Sequence, residues 1–187
     1  MCADFIHHGH INIIDKASEY GRVIVGLLSD KAISTGKRVP MLTFEQRKII
    51  LESIKNVAEI VVQDEWDYSK NLIKYKPDFM IHGDDWLSGP LLPYRKLAIK
   101  ALESYGGKLI EIPYTKGISS SKLLENIRKV GTTPDLRRSN LKRLICAKDI
   151  VRIIESHSPL SALIGERVSI HINNEFREFD GFWSSSL

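Results

Sequence analysis

The sequence predicts an α/β fold built on a parallel sheet, and three observations support this prediction. Short apolar runs rich in β-branched residues alternate along the chain with segments of helical periodicity. The connections between them are short, which favours right-handed crossovers between parallel strands. The run "VIVGLL" at residues 23–28 is apolar throughout, as expected of a strand buried on both faces. Helices are therefore expected on both sides of the sheet.

The elements follow one another in a regular order. A helix begins near Ile11 and ends before Gly21, and a capping box of Thr43 and Gln46 opens another helix. The next segments are the strand "EIVVQ", the helix "YSKNLIKY", the strand "DFMIHG", the helix "YRKLAIKALESYGG", the strand "KLIEIP" and the helix "SSSKLLENIRKV". The first helix should follow a strand, but residues 1–4 are too few to form one. We therefore expect a truncated amino terminus.

A change of character near residue 130 predicts a domain boundary. Gly131, Pro134 and Asp135 interrupt the chain there, so we assign residues 1–130 to one domain and residues 131–187 to an extension. The segment "LKRLICAKDIVRIIESHSPLSALIGE" is predicted to be helical without an intervening strand. The final "EFDGFWSSSL" is predicted to be a strand with nothing to pair against. The extension is therefore expected to be mostly helical.

Composition limits the class of protein. The net charge of +4 and the pI near 9.0 suit phosphate-bearing ligands. They do not by themselves indicate nucleic acid, because no aromatic residues interleave with the basic stretch at residues 128–143. No apolar run reaches the length of a membrane span, and the start of the chain lacks an export signal. With Cys2 and Cys146 far apart, a reducing cytoplasm is predicted.

The motif "DFIHHGH" places two histidines just before the first helix. A helix amino terminus offers unpaired N–H groups and a partial positive charge, which makes it an anion site. His7 and His10 can each donate a hydrogen bond to a phosphoryl oxygen there, while Gly9 allows a ligand to approach the backbone closely. Two such histidines can also be ordinary surface or core residues.

Two later motifs lie where open α/β sheets bind ligands. "GISSSK" (residues 117–122) stands at a strand-to-helix junction and could cradle a di- or triphosphate, or could be a serine cap with a solvated lysine. In "HGDDW", Asp84 and Asp85 could receive ribose hydroxyls, a base amino group or hydrated magnesium, or could cap the next helix. The indole of Trp86 could form the wall of a pocket.

The motifs "DFIHHGH", "TFEQRK", "HGDDW" and "GISSSK" together resemble the cytidylyltransferase family typified by glycerol-3-phosphate cytidylyltransferase. The resemblance covers residues 2–128. It implies a Rossmann-like nucleotidyltransferase fold, usually a homodimer, that uses CTP and Mg²⁺. It also implies transfer of CMP to a phosphate monoester with release of pyrophosphate.

The resemblance implies site residues by position, although it leaves the metal ligands undetermined. It assigns catalysis to His7, His10, Lys37 and Arg47, and nucleotide binding to Asp4, Gly9, Asp84, Asp85, Trp86, Gly117, Ile118, Ser119, Ser120, Ser121 and Lys122. It assigns acceptor binding to Arg38, Tyr114, Thr115 and Lys116. Tyr114 stands where the glycerol phosphate enzymes have an arginine, which argues against glycerol phosphate as the acceptor.

A second resemblance concerns the carboxyl-terminal part of the chain. "LKRLI", "IIESHSPLSALIGE" and "FDGFWSSSL" are similar to the beginning of phosphoenolpyruvate mutase, with Trp183, Ser185 and Ser186 matching a strand end beside the phosphonate. Fusion of the two modules resembles the bifunctional mutase–cytidylyltransferases of phosphonate biosynthesis. It implies a small phosphonate acceptor such as 2-hydroxyethylphosphonate. The alternatives are a mutase fragment, a glycerol-3-phosphate cytidylyltransferase and a remnant that binds CTP without turnover.

Overall fold

The structure, a computed structural model, describes residues 1–113, 115, 134–172 and 175–184. The chain divides into two compact units. The first comprises Met1–Ser29 and Met41–Thr132, and the second comprises Asp30–Pro40 and Thr133–Leu187. The sequence patterns do not predict that Asp30–Pro40 groups with the carboxyl-terminal part of the chain.

Helices and strands alternate up to residue 112 in the predicted order. The helices are α1 (His8–Ser18), α2 (Asp30–Gly36), α3 (Phe44–Glu52), α4 (Ser69–Tyr75) and α5 (Leu92–Glu103). The strands are β1 (Ile24–Leu28), β2 (Glu59–Gln63), β3 (Phe79–Gly83) and β4 (Lys108–Ile112), and two short 3₁₀ turns, Asp84–Trp86 and Gly89–Leu91, follow β3. Helix α2 is an addition to the prediction and belongs to the second unit. The helix predicted from "SSSKLLENIRKV" lies outside the described residues.

The strands of the first unit pair in parallel, which confirms the predicted α/β class. Strand β1 pairs with β2, with Leu27 opposite Val62, and β3 pairs with β4, with Ile81 opposite Ile110. The Met1 amino group donates to the carbonyl of Gly26 at 2.6 Å, and the Leu28 amide donates to the carbonyl of Met1 at 3.0 Å. Met1 therefore sits beside Leu27 as the neighbour of a parallel strand would.

Burial of apolar side chains holds the first unit together through two clusters. One cluster is built on Ala3, Ile14, Val23, Val25, Leu27 and Leu51. The other is built on Leu72, Trp86, Ala98, Ala101 and Leu102. The first cluster takes in residues from the loop before α1, and the second takes in the turn after β3, so each anchors a predicted ligand-binding segment in the core.

The predicted capping box of α3 is confirmed. The Gln46 amide donates to Oγ1 of Thr43 at 3.3 Å, and the Thr43 amide donates to Oε1 of Gln46 at 2.9 Å. Two amides that the helix leaves unpaired are thereby satisfied.

The second unit is not mostly helical, which corrects the prediction for the extension. It contains α6 (Pro134–Ala147), β5 (Ile153–Ser156), α7 (Pro159–Arg167), β6 (Ser169–Ile172), β7 (Glu175–Glu178) and β8 (Gly181–Ser184). Strand β5 interrupts the predicted continuous helix, and β8 pairs with it in parallel. The β-branched pair Ile153 and Ile154 favours a strand, and Ser158 then caps a new helix with Pro159 in its first turn.

Polar contacts fix α2 and the residues that follow it, up to Pro40, within the second unit. The hydroxyl of Ser34 donates to the carbonyl of Ala147 at 2.8 Å, and Arg143 donates to the carbonyl of Pro40 at 2.6 Å. Arg38 forms an ion pair with the buried carboxylate of Glu178. Among the residues that the structure describes, no helix combines the length and the apolar character that crossing a bilayer requires.

Candidate active site

Two imidazoles cap the amino terminus of α1. The Gly9 amide donates to Nδ1 of His7 at 3.2 Å, and the His7 amide donates to Nδ1 of His10 at 3.3 Å. This reciprocal pattern is a capping box in which histidines replace the usual hydroxyl and carboxylate side chains. The two rings stand close together, with their centroids 4.0 Å apart. The local sequence therefore fixes both side chains at the positive end of the helix.

These hydrogen bonds determine which nitrogen carries the proton. An Nδ1 atom that accepts from an amide has no hydrogen, so each neutral ring carries its proton on Nε2. Burial lowers the pKa of His10 to about 4, with a further contribution from His7. Burial also lowers the pKa of His7, with a smaller contribution from His8. At neutral pH the pair is therefore uncharged and offers two Nε2–H donors.

A pH titration tests the assigned protonation state. Because His10 is protonated far less readily in the folded chain than in the unfolded chain, folding stability is greatest above the unfolded pKa of about 6.5. It falls as pH drops from that value towards the folded pKa of about 4. Proton NMR of the His10 ring should show a midpoint near pH 4 in the folded protein and near 6.5 in urea. A folded-state midpoint at or above 6.5 would contradict the assignment.

Thr115, which follows β4, lies against the first turns of α1. The side-chain Nδ2 of Asn12 donates to Oγ1 of Thr115 at 3.2 Å. A methyl group added at Gly9 would lie 3.4 Å from Cβ of Thr115 and 3.0 Å from the His7 ring. Any larger residue at position 9 would press on the His7 ring, so glycine favours this close approach. Thr115, predicted to bind the acceptor, and the paired histidines therefore share one face of the molecule.

Trp86 has no exposed surface, which differs from the expectation that it forms the wall of a pocket. Its ring belongs to the core, where it stacks on His82 with centroids 3.7 Å apart and planes 11° apart. The side chain of Asp85 is 47% exposed and lies 3.6 Å from Nδ1 of His82. In the turn after β3, Asp85 is therefore accessible to a ligand, whereas the indole of Trp86 is buried in the core.

Asp4 and Arg47 are buried and satisfy backbone groups. The carboxylate of Asp4 accepts from the amides of Met41 and Leu42 at 3.0 and 2.9 Å. Arg47 is fully buried and donates to the carbonyl of Cys2. Asp4 therefore ties the loop before α3 to the loop before α1, and Arg47 ties helix α3 itself to the start of the chain. Their predicted contacts with the nucleotide stay predictions.

The remaining predicted residues are not brought to this site by the described contacts. Lys37 and Arg38 belong to the second unit, where Arg38 binds Glu178. Tyr114, Lys116, Gly117, Ile118, Ser119, Ser120, Ser121, Lys122, Ser185 and Ser186 lie outside the described residues. Their predicted roles in binding phosphate or phosphonate stay predictions.

Three residues near these turns are absent from the sequence-based prediction. The sequence alone gives no reason to select Asn12, a polar residue of a predicted helix surface, or Arg95, which has the pattern of a solvent-exposed cation. The sequence could have indicated Glu111, because a charged residue within the apolar strand "KLIEI" needs a hydrogen-bonding partner if the strand packs in a core. Arg95 provides that partner through two hydrogen bonds of 2.8 Å.

Parallel strand pairs define the class as an α/β protein, and the helix amino terminus capped by two histidines is a position suited to an anion. Residues 2–126 match the cytidylyltransferase-like family, and the chain belongs to that family. The match includes the histidine motif, the turn after β3 and the segment after β4. The predicted family resemblance is therefore confirmed.

Known proteins similar to this chain agree with the family. Glycerol-3-phosphate cytidylyltransferase of Bacillus subtilis is 29% identical over 126 residues, which are 66% of this chain and 90% of that protein. Ethanolamine-phosphate cytidylyltransferase of Arabidopsis thaliana is 29% identical over 152 residues, 76% of this chain. Bifunctional protein HldE of Geobacter sulfurreducens is 31% identical over 132 residues, 68% of this chain. The chain spans only 35% and 26% of these last two proteins.

A solved structure supports the fold. The lipopolysaccharide core biosynthesis protein from Thermoplasma volcanium superposes with a TM-score of 0.51 at 20% sequence identity. The likeness covers 63% of this chain and 93% of that one. The predicted Rossmann-like nucleotidyltransferase fold is thereby confirmed.

Proposed function

We propose that this chain is a CTP-dependent cytidylyltransferase that transfers CMP to a small phosphonate or phosphate monoester. Family membership supports the proposal. The observation that carries it is the pair of neutral imidazoles at the start of α1, each with Nδ1 occupied by a backbone amide. Their Nε2–H groups are donors set in place before a phosphoryl group arrives.

The reaction is an in-line displacement at the α-phosphorus of CTP. An ionised acceptor oxygen forms a bond to this phosphorus while the bond to the bridging oxygen breaks, and pyrophosphate leaves with the electron pair. His7 and His10 donate hydrogen bonds to the α-phosphoryl oxygens as negative charge builds on them. No general base is needed, because the attacking oxygen is already ionised near neutral pH.

Mg²⁺ is part of the proposal, and the side chains of the turn after β3 fit it. The described residues contain no group of three or more His, Cys, Asp or Glu side chains able to cage an ion. An ion carried by a triphosphate needs only one or two protein carboxylates. Asp84 and Asp85 would hold it, since they follow the carboxyl end of β3 and Asp85 is half exposed. Bound Mg²⁺ would supply positive charge that neutralises the polyphosphate.

A small phosphonate, with 2-hydroxyethylphosphonate as the first choice, is proposed as the acceptor. Two sequence features support this choice: Tyr114 replaces the arginine of glycerol phosphate enzymes, and residues 141–187 resemble the start of a phosphoenolpyruvate mutase. The parallel pairing of β5 with β8 suits the beginning of such an α/β domain. The names of the relatives make ethanolamine phosphate and glycerol 3-phosphate the competing acceptors.

A pyrophosphate-release assay tests this function. CTP and Mg²⁺ are supplied with 2-hydroxyethylphosphonate, 2-aminoethylphosphonate, glycerol 3-phosphate, ethanolamine phosphate or phosphocholine, and ATP replaces CTP as the control. We expect release with CTP and a phosphonate, and at least about tenfold less with ATP. Binding of CTP without release for any acceptor would overturn the proposal. Sedimentation of the same preparation tests the proposed homodimer.

A further inference from the structure

Glu111 joins the two strands that lead into the proposed nucleotide site. Its Oε1 accepts from Nε1 of Trp86 at 2.7 Å, which links β4 to the turn after β3. Arg95 binds both carboxylate oxygens of Glu111 at 2.8 Å and fixes its orientation. The indole is fully buried, so this hydrogen bond satisfies a donor that water cannot reach.

The indole is also held from the side and from its face. His82 stacks on it, and the ring of Tyr68 meets it edge-on at 5.8 Å. Nδ1 of His82 lies 2.8 Å from the carbonyl of Gly83, so that nitrogen carries the proton and donates. Trp86 therefore has one orientation, set by packing on its faces and by Glu111 at its edge.

The position of the indole determines the position of the acidic turn. Trp86 ends the 3₁₀ turn Asp84–Trp86, in which the Leu87 amide donates to the carbonyl of Asp84 at 3.2 Å. The Asp85 carboxylate folds back over the start of the turn, since a methyl group at Gly83 would lie 3.1 Å from its Oδ1. If the indole shifts, Asp84 and Asp85 shift with it.

We propose that Glu111 is a positioning residue that, through its hydrogen bond to Trp86, holds the Asp84–Trp86 turn in place for the nucleotide. The proposal rests on the proposed function for what the turn binds. Glu111 also lies four residues before Thr115, which contacts the first turns of α1. One side chain thus ties the turn after β3 to the strand that leads into the acceptor segment.

Four variants test the hydrogen bond between Glu111 and Trp86. Glu111→Met removes the acceptor, Trp86→Phe removes the donor but keeps an aromatic ring, and Glu111→Gln keeps an acceptor oxygen. Glu59→Met is the matched control, because Glu59 also lies in a strand and pairs with an arginine, Arg22, at 2.8 Å. Initial rates against CTP concentration give KM and kcat, and hydrogen exchange of the Leu87 amide reports the turn without requiring activity.

The expected pattern is specific to positioning. Glu111→Met and Trp86→Phe should each raise KM for CTP and speed exchange of the Leu87 amide about tenfold, the scale of one buried hydrogen bond. Their combination should be no worse than either alone. Glu59→Met should match the unmodified chain in both measurements. Glu111→Gln should be impaired less than Glu111→Met, because its amide oxygen still accepts from Trp86 although one of the two hydrogen bonds from Arg95 is lost. If Glu111→Met does not fold, Trp86→Phe and Glu111→Gln carry the test.

Three results would overturn the proposal. The first is that Glu111→Met and Glu59→Met give the same KM for CTP and the same exchange of the Leu87 amide. The second is that Glu111→Gln is as impaired as Glu111→Met, and the third is that Glu111→Met or Trp86→Phe speeds exchange but leaves KM for CTP unchanged. If the unmodified chain releases no pyrophosphate, the proposed function fails instead. Exchange of the Leu87 amide then decides alone whether Glu111 holds the turn.

Discussion

Replacing His10 by alanine is expected to lower the rate of pyrophosphate release at least about a hundredfold, the scale of losing one preorganised donor to a developing oxyanion. The ring is held before the substrate arrives, because its Nδ1 accepts from the His7 amide and its face lies against His7. No reorientation is therefore needed at the moment of reaction. The loss should appear in kcat, since the bond strengthens as charge develops.

Three further variants separate this donor from the structure of the helix end. His10→Asn keeps an acceptor near the place of Nδ1 and lacks a donor at Nε2, so it should fold normally and be as slow as the alanine variant. His10→Gln can place a donor near Nε2 and should recover part of the rate. His8→Ala alters the exposed neighbour and should change kcat by less than about threefold. A rate near that of the unmodified chain for His10→Asn would remove His10 from the mechanism.

Replacing Asp180 by alanine is expected to destabilise the second unit by about 3–5 kcal/mol, the cost of leaving one partner of a buried ion pair alone. The side chains of Asp180 and Lys148 are only 1% and 6% exposed. The other oxygen of Asp180 accepts from the Arg152 amide at 2.9 Å, so its loss also leaves an unpaired backbone donor. Urea unfolding followed by hydrogen exchange of the separate segments measures the effect.

The segments that lose hydrogen-exchange protection in Asp180→Ala test whether α2 folds with the second unit. Because Ser34 fixes α2 to the Ala147 carbonyl and Arg38 fixes the residues just after it, the amides of α2 should lose protection together with α6 and β5. Amides of β1 should keep theirs. Asp149→Ala is the control, since Asp149 is 85% exposed in its pair with Lys31 and such pairs contribute about 0–1 kcal/mol. Retained protection of α2 after the Asp180 change would show that α2 does not fold with this unit.

The sequence by itself determined most of the order of elements up to residue 112 and the capping role of the paired histidines. Strands such as "EIVVQ" and the cap at Thr43 are specified locally, by periodicity and by hydrogen bonds to residues three positions away. The same holds for His7 and His10, whose capping contacts span three residues. Features that depend on residues a few positions apart can therefore be predicted from a single sequence.

Only the tertiary structure decided which distant residues meet. The bond from Glu111 to Trp86 spans 25 residues, the contact of Asn12 with Thr115 spans 103, and the pair of Arg38 with Glu178 spans 140. The sequence did not predict β5, because its partner β8 lies about 28 residues further on and a four-residue segment with only two apolar residues fits a helix equally well. Contacts between residues so far apart depend on how the chain packs as a whole, because no local periodicity records which buried donor will meet which acceptor.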